Sequence, residues 1–141
     1  MKTRAAILIA IAIITIQSAM AEEPTQKFPT EEKKITYAIK NLHSGLHTNN
    51  PGVIESAMRV TAQIKMRFPA VEVSELVDAI NDVWLKNPSG STRYKAYIAL
   101  SVIKNPEWYV SESEITTATD ETFFKTASVR MQEELLTTNT Q

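Results

Sequence analysis

The sequence predicts an all-α fold: a short stack of antiparallel helical hairpins, about five to six helices over residues 30–136. Three observations lead there. Apolar residues recur three and four positions apart from Ile35 to Leu135, the spacing of helices with one buried face. Glycine occurs only three times in 141 residues, which argues against a hairpin-rich β fold. Patterns of the first hairpin also return in the second.

The elements follow in order. Thr30 is placed to cap a helix over 31–46, whose stripe is Ile35, Ala38, Ile39, Leu42 and Leu46. Asn50-Pro51, a cap residue and a first-turn proline, opens a second helix that ends at Pro69. Its inward positions are Val53, Ala57, Val60, Thr61, Ile64 and Phe68. A third helix is expected over 70–85, with Val73, Leu76, Val77, Ile80, Val83 and Trp84 inward. Asn87-Pro88-Ser89-Gly90 breaks the chain, and a fourth helix over 91–104 stops at Asn105-Pro106. The stretch 107–119 has room for one short helix, capped by Ser111 or Ser113. Asp120 is the expected N-cap of the last helix, which sets Phe123, Phe124, Ala127, Met131 and Leu135 on one side. Residues 22–29 and 137–141 are polar and read as a flexible lead-in and tail.

A shift of 38 residues lays Ile35 on Val73, Leu42 on Ile80 and Leu46 on Trp84. A shift of 39 lays Ala57 on Ala96 and Ile64 on Ile103. A third copy is partial. Residues 120–127 align with 50–57 but follow their counterpart in the fourth helix by only 31, so the helix before them is about eight residues short. A lone hairpin leaves an apolar face uncovered, so successive hairpins must stack. The shortened third unit is expected to close the stack at its C-terminal end.

In the second helix of each unit, Val53 and Ala57, then Arg93 and Ala96, then Asp120 and Ala127 follow a cap, Val-Arg, Ala pattern. On these residues the chain resembles small exported bacterial proteins with HEAT-like (α-solenoid) repeats. Ile54 departs from the pattern in the first unit and Thr92 in the second. The resemblance implies an α-solenoid and a binding surface. It implies no catalytic residue.

The N-terminus has the layout of an export signal. Lys2 and Arg4 form a basic start, residues 5–16 are uninterruptedly apolar, and Ala19-Met20-Ala21 supplies the small residues read by a signal peptidase. Twelve apolar residues span roughly 18 Å as a helix, short of the roughly 30 Å of a bilayer core. Cleavage after Ala21 is expected, which places residues 22–141 in the periplasm or outside the cell, with no membrane attachment. The exported part carries a net charge of about −3, with no basic cluster to attract nucleic acid. Cysteine is absent, so disulfides and thiolate chemistry are excluded and the fold rests on apolar packing.

Few residues carry reactive chemistry. His43 and His47 stand four apart on one helical face, as zinc ligands do. A zinc-protease helix has glutamate after its first histidine, where this chain has Ser44. They are therefore weak metal candidates, with Glu31, Asp78 and Asp82 as possible third ligands. Asp78 and Asp82 otherwise read as a solvated face. The fourth helix is unusual in carrying Tyr94, Ile98 and Val102 opposite its inward stripe. Either the region of Trp108, Phe123 and Phe124 folds over this second face, or Tyr94, Ile98, Val102 and Trp108 meet a partner. The expected role is a non-catalytic protein-interaction or scaffold module of the cell envelope or extracellular space, free of cofactor, its partner an unidentified protein. The alternatives are a metal-dependent hydrolase built on His43 and His47, and a self-associating structural subunit that forms a homo-oligomer.

Overall fold

Helix ends fix where this chain bends. The Asn50 side chain accepts hydrogen bonds from the backbone N–H groups of Gly52, at 3.0 Å, and Val53, at 3.4 Å. Ser89 accepts from the N–H of Thr92 at 3.2 Å. Each satisfies donors that a helix start otherwise leaves open. The computed structural model describes residues 30–109, 115 and 118–138. Among them are five α-helices and no strand: α1 (Glu31–Leu46), α2 (Pro51–Arg67), α3 (Ser74–Lys86), α4 (Gly90–Lys104) and α5 (Asp120–Thr138). A 3-10 turn occupies Pro106–Trp108. The expected export signal, its lead-in and residues Ser111 and Ser113 lie outside the described residues. No helix among the described residues is long and apolar enough to cross a membrane.

α1 pairs with α2, and α3 with α4. The two pairs then stack, α1 against α3 and α2 against α4, so that like helices form two rows. Small residues set the spacing. A Cβ added at Gly45 would lie 3.4 Å from the Cβ of Ala57, so α1 and α2 approach closely at that point. Ala62, Ala96 and Ala99 are fully buried beside Met58, Leu76 and Ile80. The predicted all-α stack of hairpins is the observed architecture.

α3 begins at Ser74 rather than at residue 70. The Lys65 ammonium donates to the carbonyls of Pro69 and Val71, and the Glu72 carboxylate accepts the N–H of Ser74 at 2.8 Å. These bonds hold residues 69–73 as a turn. In α2 the buried arc is rotated from the predicted stripe. Ile54 and Met58 are buried, whereas Val53 and Phe68 are exposed. α2 contacts α1, α4 and α5 together, and that central place, not the two-helix seam, sets its inward face. Trp84 and Leu135, expected inward, are each 40% exposed. α5 runs to Thr138, so part of the expected tail is helical.

The third unit departs most from expectation. α5 does not extend the row of α2 and α4; it lies against both. Asp120 is the first residue of α5, and its carboxylate bonds α2 instead of capping its own helix. It accepts from the Ser56 hydroxyl at 2.6 Å and from the Arg59 guanidinium. Gln63 donates to the carbonyl of Ile115 at 2.9 Å, anchoring the chain just before α5 to the same helix. Burial raises the Asp120 pKa, but the bonds from Ser56 and Arg59 and the charges of Arg59 and Lys95 outweigh it and leave it lowered. The ionised form is therefore favoured by folding. Its contribution is present at neutral pH and is lost in acid, as the pH falls past the ordinary aspartate range through the lowered value. Asp120→Asn is expected to flatten the fall of the urea midpoint across that acid range. The effect is modest because the side chain is 37% exposed. A variant whose acid profile matches the wild type would show that Asp120 does not fasten α5.

Candidate functional site

The face of α3 turned away from α1 borders an open, mainly apolar groove. At 3.6 residues per turn, α3 presents three faces. Glu75, Ala79 and Asp82 adjoin the histidines of α1. Leu76, Ile80 and Val83 are buried. Val77 and Trp84 lie about half a turn around α3 from Glu75, Ala79 and Asp82, with Asn81 between the two sides. Asn81 lines both the depression beside the histidines and the groove, of about 570 Å³, that Val77 and Trp84 wall. Tyr97, Leu100 and Lys104 of α4 form its floor. Trp108, Met131 and Leu135 form the far wall. The Trp84 and Tyr97 rings meet at 5.9 Å. Arg130 fixes the other side, its Nε donating to the Trp108 carbonyl at 2.8 Å. The groove is mainly apolar and falls in the size range of ligand sites. Lys104 is its one cation, and it has no ion-pair partner among the described residues.

The partner candidates separate. Ile98 and Val102 are 1% and 0% exposed. They are core residues and not a partner surface, because α5 and the chain before it, with Tyr109, Ile115, Phe123 and Phe124 all buried, cover this face of α4. Tyr94 is exposed, and its hydroxyl bonds that of Ser128 in α5 at 2.8 Å. Trp108 alone of the four lines the groove. Sequence reasoning missed Tyr97, Leu100 and Met131 as groove residues, and it counted Val77 and Trp84 as core. One signal pointed here. Only 15 residues separate α4 from α5, against 22 between α2 and α4, too few for a helix like α3 with its two connections.

The histidine pair sits elsewhere, on the α1 side of α3. Its rings are 4.5 Å apart, and the Nδ1–H of His47 donates to the His43 carbonyl at 2.8 Å. Asp78 and Asp82 share this open depression, as expected, but Glu31 is three turns away and pairs with Lys34. Asp82 is itself paired with Lys86 at 2.7 Å. Among the described residues no three His, Cys, Asp or Glu side chains converge as a metal site. Titration with zinc is accordingly expected to release no saturable heat at micromolar protein. One-to-one binding would revive the two-histidine reading.

Other ion pairs join or stiffen the helices. Lys95 of α4 pairs with Glu55 of α2 at 2.6 Å and lies 5.6 Å from the centre of the Phe124 ring. Arg130 pairs within α5 with Glu133 and Glu134. Comparison with protein-family models, with curated proteins and with solved structures finds no match to this chain.

Proposed function

We propose that this chain is a non-catalytic protein-interaction module, a short HEAT-like stack exported after cleavage behind Ala21. The observation that carries this reading is the half-open groove on the far side of α3. Two tryptophans, a tyrosine and several aliphatic side chains come together there around one groove. Aromatic side chains flanked by a few polar groups supply much of the energy at protein interfaces. The pairing of the acidic and basic side chains across α2, α4 and α5 fits a structural use of charge. Export is supported by the sequence of residues 1–21.

Affinity capture from envelope extract tests the reading. The full chain should retain a specific protein that Leu135→Glu, a change at a position already 40% exposed, fails to retain. Identical capture by both forms would move the binding surface away from the groove. Release of the intact protein with its first 21 residues still attached would contradict the export signal.

A further inference from the structure

We infer that the groove receives one amphipathic α-helix of acidic character from a partner protein, seated where the first helix of a third hairpin would lie. This deepens the interaction-module reading and rests on it. α1 lies beside Glu75, Ala79 and Asp82 of α3, and Val77 and Trp84, about half a turn around the helix, border the groove, so the groove takes the next position in the α1–α3 row. The second row needs no addition, because α5 already covers the second face of α4.

The chain between α4 and α5 does not fill the vacant place with any described residue. Its Trp108 forms a groove wall, and its Ile115 is buried and bonded to α2 through Gln63. What fits beside α3 is therefore what already fits there from the other side: a helix with apolar residues at i, i+3 or i+4, and i+7. The walls are helices, α3 on one side and the C-terminal part of α5 on the other.

Charge narrows the occupant. Lys104 stands at the groove without a carboxylate partner among the described residues, next to the amides of Asn81 and Asn105. An acidic residue on the flank of the incoming helix would satisfy it. If the repeat continued, α3 itself would be the template for that helix. Its sequence, Val73 to Lys86, carries Glu75, Asp78 and Asp82 against a single lysine.

The test uses that sequence as the probe. A synthetic peptide of residues 73–86 with Trp84→Phe carries no tryptophan, while both tryptophans of the protein line the groove. Tryptophan emission thus reports occupancy of the groove itself. Saturable emission change on adding the peptide to the full protein is expected, weakened by about tenfold or more in Leu135→Glu and in Lys104→Glu. Both positions are exposed, and unchanged circular dichroism will show that both variants fold. A charge-inverted peptide, with lysine at 75, 78 and 82, should lose binding to the wild type and regain it with Lys104→Glu. Equal binding of both peptides would overturn the acidic assignment. No response to the peptide, with envelope capture still lost in Leu135→Glu, would overturn the helix and leave the module standing. Emission changes with sodium laurate but not with peptide would make the groove a site for small amphipathic carboxylates, and would also overturn it.

Discussion

Ile98→Asp is expected to unfold this protein. Ile98 is 1% exposed and lies between the hairpin stack and α5. A carboxylate there has no cation free to meet it, since Lys95, one turn away, is held by Glu55 at 2.6 Å. Burying an unpaired charge at such a position costs more than about 4 kcal/mol. Small domains have only about 5–15 kcal/mol in total. Loss of helical circular dichroism at 25 °C, or a urea midpoint near zero, is the predicted result. A folded variant with a wild-type midpoint would mean that α5 does not cover Ile98. The same substitution cannot report on self-association, because the surface it would have probed is interior.

Phe123→Ala is expected to cost about 3–5 kcal/mol in urea denaturation, with α5 the first element to lose protection in hydrogen exchange. The ring is fully buried and meets Phe124 edge-on at 5.1 Å. Removing it leaves a cavity at the junction of α5 with the stack, far from the α1–α3 row. Early exchange should therefore appear in α5 and α4 before α1. A loss below about 1 kcal/mol would place Phe123 outside the core.

Helices were the most legible part of the sequence. The bounds of α1 are those the spacing predicts, and Asn50 and Asn105 bound α2 and α4 as expected. The two-hairpin stack was legible too, because each apolar stripe has a partner one period away. Three things were hidden. The turn at 69–73 depends on Lys65 and Glu72 reaching backbone groups, and periodicity carries no trace of such bonds. The face of α2 depends on three neighbours at once. The direction of α5 depends on Asp120 meeting Ser56 and Arg59 more than 60 residues earlier, although its local pattern matches that of α2.

The candidate site was hidden for a related reason. Val77 and Trp84 belong to a stripe that a third hairpin would bury, so a reading from repeats counts them as core. Exposure of Trp84 follows only from the crossing of α5 and the short connection before it. Ile98 and Val102 show the converse, an apolar second face that α5 covers. Sequence showed that the fourth helix had two apolar faces. Which of them closed was decided by a long-range contact.

That contact is the point on which the architecture turns: α5 lies across α2 and α4 and does not continue their row. The chain has no native cysteine, so one pair of introduced thiols reports it, with buried Phe123 and Phe124 and the Gln63–Ile115 bond keeping α5 seated when Ser56 and Asp120 are replaced. In Ser56→Cys/Asp120→Cys, treated with a short bis-maleimide and digested, the expected product is an intramolecular link between the peptides bearing positions 56 and 120, in high yield from folded protein and absent in urea. Failure to form that link in folded protein, with efficient linkage of each thiol to a small monofunctional maleimide, would contradict the account.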